Sequence, residues 1–173
     1  EDPRLRVSHL PFIPLLHIFK GSLLTPNFYL QEQEWGNYQN PELLPQMMQE
    51  RRHVGAFFYR FMGGESGADV YDRVSSLQDT LFREFKKRDC PKNLVMITHG
   101  ITMRLFIMKY FRWPIEVFED LWNPDNCSMI VLEREEDSKT FELKTELWSN
   151  GGLYKQQVHH VIPKKLVRAP TSL

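Results

Sequence analysis

Cysteine is nearly absent from this chain. Cys90 and Cys127 are the two among 173 residues, too few and too far apart for a disulfide framework or a zinc site. They read as buried thiols of a reducing compartment. Net charge is also missing: 22 basic residues balance 22 acidic ones, so no field draws the chain to nucleic acid or to an anionic membrane. No basic start with a cleavage site marks a signal peptide, and no internal repeat is visible. His9, His17, His159 and His160 lack ligand spacing beyond the adjacent tail pair, so neither a metal nor another cofactor is expected. These absences leave a cytoplasmic globular protein, long enough for one domain with a real core. The first residue is Glu1, not Met, which reads as a processed chain or one missing its beginning.

What is present is an alternation of helical and strand patterns. PELLPQMMQERRH, residues 41–53, predicts a short helix with Pro45 confined to its first turn. After the aromatic passage VGAFFYRFMGGES, Ser66 stands as an N-cap with Asp69 three residues on. Val70, Val74, Leu77, Leu81 and Phe85 then recur at helical spacing, and KKRDCP supplies a basic last turn. NLVMIT, residues 93–98, is a short apolar run of the kind a buried parallel strand shows, followed by ITMRLFIMKYF as a second helix. A short helix is expected over 114–121, and CSMIVLER (127–134) with TFELKTEL (140–147) reads as a hairpin. The tail, 149–173, is expected to be poorly ordered.

The strongest local chemical feature is the strand–His99-Gly100–helix junction. Ligands of open α/β sheets bind beyond the carboxyl ends of strands. A helix starting there offers free N–H groups and a positive dipole end to an anion. Gly100 would let backbone and ligand approach closely. A structural histidine at a strand end is the alternative, and the residues alone leave both open. Glu32 and Glu34, before Trp35-Gly36, are candidate general acids or solvated loop carboxylates. Glu65 either lines a site or complements the following helix N-terminus, the latter on local grounds. Arg104, one turn beyond His99, points either at an anion or at solvent.

Four segments, RLR…EQEWGNYQ, FFYRFMGGESGADVYDRV, NLVMITHGITMRLFIMKYF and NPDNCSMIVLE, together resemble the histidine phosphatase (phosphoglycerate mutase-like) superfamily. Their order is most similar to its plant and fungal phosphoglycerate mutase-like branch. The resemblance covers most of residues 1–6 and 32–134. It implies an α/β/α sandwich in which a histidine of an Arg-His-Gly motif attacks a phosphoryl group. A second histidine and arginines would hold the phosphoryl oxygens, and a Glu would protonate the leaving oxygen. By motif, His99 takes the second-histidine role and Glu32 the proton donor's; the local junction adds Gly100 and Arg104 as candidate binding residues. Such chemistry asks for a placed nucleophile and preorganised positive donors. No Arg-His-Gly occurs in the 173 residues. The lookalike Arg52-His53-Val54-Gly55 follows a polar helical segment and lies downstream of Glu32, so it is rejected as the nucleophile.

Residues 7–31 interrupt the match with Leu, Ile and Phe, yet Pro11, Pro14, Pro26, Lys20 and Gly21 break any spanning helix. A loop of that length and apolarity is uncommon in a compact domain. The segment reads as a translated intron: Val7-Ser8 can be encoded as a splice donor and Phe28–Gln31 as a pyrimidine-rich acceptor, and excision rejoins Arg6 to Glu32 in frame. As an insert it would cost on the order of 3 kcal/mol in loop closure and put the placement of Glu32 in doubt.

The expectation is therefore an incomplete three-layer α/β/α sandwich, largely parallel. A single domain would span 1–148 with the insert at 7–31, and the tail would be 149–173. The parent enzyme would hydrolyse small phosphomonoesters, while this chain, without the nucleophile, would be an inactive fragment. The alternatives are a non-catalytic module that binds phosphate esters and a protein-interaction piece.

Overall fold

A computed structural model describes residues 17–20, 23–36, 42–88, 90, 92–135, 138, 140–147, 149–150 and 157–158. In chain order the elements begin with strands β1 (His17–Lys20) and β2 (Leu23–Pro26) and a 3-10 turn (Phe28–Leu30). Helices α1 (Leu44–Val54) and α2 (Gly67–Glu84), strand β3 (Val95–Met96) and helix α3 (Gly100–Phe111) follow. The remainder is α4 (Ile115–Asp120), β4 (Leu132–Glu133), β5 (Glu142–Leu143), β6 (Ser149–Asn150) and β7 (Gln157–Val158). The fold is mixed α/β, as the sequence implies.

Helix α2 starts where Ser66 and Asp69 make a capping box. The Asp69 N–H donates to the Ser66 hydroxyl, and the Asp69 carboxylate accepts from the Ser66 backbone N–H at 2.7 Å. Two orphan N–H groups are thereby satisfied. Its stripe Val70, Val74, Leu77 and Leu81 is buried against α3; Phe85 falls just past the helix as its C-cap. Helix α3 is buried on nearly every side, with Ile101, Thr102, Arg104–Met108, Tyr110 and Phe111 all inaccessible, as a helix apolar all round should be. The α2–α3 pair is the centre of the core. Gln78 reaches across it, its amide donating to the Phe106 carbonyl at 2.7 Å.

Several expectations change. The run at 93–98 forms strand only over Val95–Met96, and its partner is β1 in antiparallel register, Ile18 opposite Met96. No parallel pairing occurs among the described strands. The predicted hairpin exists, but its paired part is short, Leu132 opposite Leu143 and Glu133 opposite Glu142. Neither cysteine is buried: Cys90 is half-buried and Cys127 exposed.

The interruption at 7–31 is not wholly foreign to the fold. Its β1 and β2 form a hairpin on the edge of β3, in the order β2-β1-β3, and Leu30 is fully buried in the core. Residues 7–16, 21 and 22 of it lie outside the described residues. Of the tail, Ser149–Asn150 pairs with Gln157–Val158, and the rest also lies outside them. No helix among the described residues is long and apolar enough to cross a membrane.

Candidate active site

Three residues separate the end of β3 from the start of α3. His99 is the N-cap residue of α3 in extended conformation (φ −111°, ψ 161°), and its side chain makes no capping hydrogen bond. A helix start of this kind can offer first-turn N–H groups, with the imidazole beside them, to a ligand. The imidazole Nδ1 lies 3.6 Å from Glu32 Oε2. That separation is too long for a hydrogen bond but close enough for an ion pair when the imidazole is protonated. Both groups are open to solvent, 45% exposed for His99 and 56% for Glu32. Two residues singled out from separate parts of the sequence are thus brought together.

Glu32 reaches this position because its backbone is tied down from several sides. The Thr98 hydroxyl donates to the Leu30 carbonyl at 2.7 Å, and that of Thr102 to the Gln31 carbonyl at 2.9 Å. Arg73, on the buried side of α2, donates to the carbonyls of Tyr29, Gln31 and Glu32 at 2.7, 2.8 and 3.1 Å. Its remaining partner is Glu65, at 3.0 Å from Nε. Glu65 in turn accepts the Glu34 N–H at 3.0 Å, and its own N–H donates to the Glu34 carbonyl at 2.8 Å. Glu65 is therefore a strut under the Glu32 segment, a role that local sequence context did not suggest. The side-chain donors Arg73, Thr98 and Thr102 all lie downstream of Glu32, and the carbonyls of Tyr29, Leu30 and Gln31 that they hold belong to the interruption.

Arg104 does not point at solvent. It is buried, and its Nη1 donates to the carbonyls of Phe118 and Leu121. Its guanidinium carbon lies 4.7 Å from the centre of the Phe118 ring. Burial, assisted by the nearby Arg51 charge and opposed by Glu119, pushes its pKa down to about 10. It remains a cation at neutral pH and ties α3 to α4.

Arg104 also lines a cavity of about 520 Å³ with Arg51, Arg52, Glu119, Trp122 and Asn123. Among the described residues, the buried Nε atoms of Arg51 and Arg104 have no hydrogen-bond partner. Burial lowers the Arg51 pKa, with Glu119 and Tyr59 acting the other way. The cavity adjoins the His99 turn through Gly100: a Cβ there would lie 2.7 Å from Asn123 Cγ. Sequence reasoning missed Arg51, Glu119 and Asn123. Arg51 looked like an ordinary charge in a polar helix, and nothing in the sequence signals that α4 folds over that helix's end. His53 is in the exposed last turn of α1. No cluster of metal-binding side chains occurs among the described residues.

The described residues thus place a histidine at a helix N-terminus with a carboxylate facing it on a mixed α/β scaffold. Comparison with known proteins makes the assignment specific. The family model for the histidine phosphatase superfamily (branch 1) matches residues 24–146, so the chain belongs to that family. It is 46% identical over 121 residues to a broad-range acid phosphatase of Saccharomyces cerevisiae, covering 68% of this chain and 36% of the yeast protein. It is 37% identical over 137 residues to the phosphoglycerate mutase-like protein AT74 of Arabidopsis thaliana, covering 76% of this chain and 39% of that protein. With AT74H of the same plant the identity is 41% over 110 residues, covering 60% of this chain and 39% of the relative. The chain spans little more than a third of the length of these relatives. No solved structure matches it significantly.

Proposed function

We propose that these residues carry the acid and phosphate-holding half of a phosphomonoester hydrolase site. Glu32 delivers a proton to the leaving oxygen, while His99 and the N-terminus of α3 hold the phosphoryl oxygens. The observation that carries this reading is the 3.6 Å approach of Glu32 Oε2 to His99 Nδ1 at the start of α3. A carboxyl group beside a phosphate-holding imidazole can pass its proton to the ester oxygen as the P–O bond breaks, and fixed N–H dipoles favour the charge on the phosphoryl oxygens. The cavity along Arg51 and Trp122 takes the remainder of the ester. A small phosphorylated molecule is the substrate class, in keeping with the family and with the acid phosphatase of yeast that the chain resembles.

Turnover by this mechanism needs a nucleophile, and no Arg-His-Gly segment lies within the 173 residues. Domain limits of 1–148 and a cytoplasmic setting belong to the same proposal. The purified chain should bind inorganic phosphate, followed through the His99 imidazole resonances, and should not turn over an aryl phosphate. Binding should be lost in His99→Ala. A chain with no phosphate-dependent change at His99, or one whose turnover survives Glu32→Gln, would sink the reading.

A further inference from the structure

We propose that Arg73 is the positioning residue for Glu32, with Glu65 as the counter-ion that holds Arg73 in place. The inference rests on reading Glu32 and His99 as one site. The Gln31 carbonyl belongs to the peptide plane before the Glu32 Cα, and the Glu32 carbonyl to the plane after it. The Arg73 Nη2 group donates to both, at 2.8 and 3.1 Å. Two peptide planes meeting at one Cα set φ and ψ there, and with them the direction of the Cα–Cβ bond. Arg73 therefore sets the line along which the Glu32 side chain leaves the backbone toward His99.

The grip is stiff because each guanidinium nitrogen is engaged. Nη1 donates to the Tyr29 carbonyl and Nε to Glu65 Oε1 at 3.0 Å, while Nη2 shares its two hydrogens among the Gln31 and Glu32 carbonyls and Glu65 Oε2 at 3.2 Å. Arg73 is only 9% exposed, so water does not compete for these donors. Thr102 adds a bond to the Gln31 carbonyl but none to that of Glu32, so it holds one plane where Arg73 holds two. A lysine at position 73 keeps the charge beside Glu65 but has a single flexible nitrogen. It cannot reproduce a planar fork across three carbonyls.

The test is the imidazole NMR signature of His99 in the full 173-residue chain. Glu32→Gln removes the carboxylate charge beside Nδ1 and displaces the His99 ring resonances, which fixes the reference. Arg73→Lys should displace them in the same direction and to a comparable extent. Val74→Ala, which thins the same helix's core face, should lower thermal stability and leave the His99 signature where it was. Thr102→Val should move it less than Arg73→Lys does. Where Arg73→Lys fails to fold, Glu65→Gln is read the same way, with a smaller displacement expected. Unchanged His99 resonances in Arg73→Lys, or a larger displacement in Thr102→Val, would overturn the positioning role. An unchanged spectrum in Glu32→Gln itself would instead overturn the underlying site.

Discussion

Both carboxylate oxygens of Glu119 are engaged by neighbouring backbone N–H groups, Oε2 by Ala56 at 3.0 Å and Oε1 by Phe57 at 2.7 Å. A side chain on α4 thereby fixes the turn that follows α1. Gly55 opens that turn at φ 95°, where a Cβ would lie 2.9 Å from Glu119 Oε1. Arg51 and Arg104 also draw on this charge.

Glu119→Ala should therefore be costly. It leaves two partly buried donors unpaired and removes the carboxylate nearest two half- or fully buried arginines. The expected loss is on the order of 3 kcal/mol, read from urea unfolding. A loss below about 0.5 kcal/mol, the size of an ordinary surface substitution, would show that the turn holds without it.

Asp69 makes stability depend on acid in a defined direction. Burial pushes its carboxyl up, but hydrogen bonds from the Ser66 hydroxyl and backbone N–H, with the Arg60 charge, outweigh this and hold it below its ordinary value of 3.8. A depressed carboxyl adds stability that is complete above the ordinary value and lost as pH falls through the lower folded value. Asp69→Asn should flatten the stability profile below about pH 4 and lower it at neutral pH. Ser66→Ala should cost about 1 kcal/mol. An unchanged acid limb in Asp69→Asn would show that other carboxylates govern it.

Gly100→Ala separates binding from folding. Alanine gains up to about 1 kcal/mol of helix propensity, offset by pushing the Asn123 side chain away from a contact of 2.7 Å. Thermal stability should change little, while the wall between the His99 turn and the cavity is reshaped and phosphate binding weakens. Phosphate titration equal to that of the parent would show that Asn123 does not shape the site.

Removing residues 7–31 should leave the Glu32–His99 pair intact. Excision puts Leu5-Arg6 where Leu30-Gln31 stood before Glu32. The tethers to residues 29–31 are accepted by backbone carbonyls, which any sequence supplies, and Leu5 can fill the slot of the fully buried Leu30. In the parent chain Leu30→Ala should cost roughly 2–5 kcal/mol. In the shortened chain Leu5→Ala should carry a cost of that order. Loss of the His99 signature on excision would show that the interruption supports the site.

Periodicity and capping made the helices legible. Val70 to Leu81 and the Ser66–Asp69 box are local patterns, and α2 follows them to its last turn. Motif and local junction both singled out Glu32 and His99, and these two side chains lie together. Strand partners were not legible, because an apolar run states that a strand is buried but not what lies beside it; β3 pairs with residues from the interruption. The partners of Arg104 and Glu65 were not legible for a related reason. A charged residue looks alike in sequence whether it faces solvent, a ligand or a carbonyl three elements away.

The tethers on the Glu32 segment also set an order of assembly. They join residues 31 to 71 positions apart in the chain, and none is a contact the segment can make within itself. The helices α2 and α3 can form from local contacts and dock early, whereas the acid's loop gains its bonds only after both are packed. A half-folded chain would thus possess its hydrophobic centre and still have no paired carboxylate and imidazole, so the His99 signature is expected to appear only after α2 and α3 have docked.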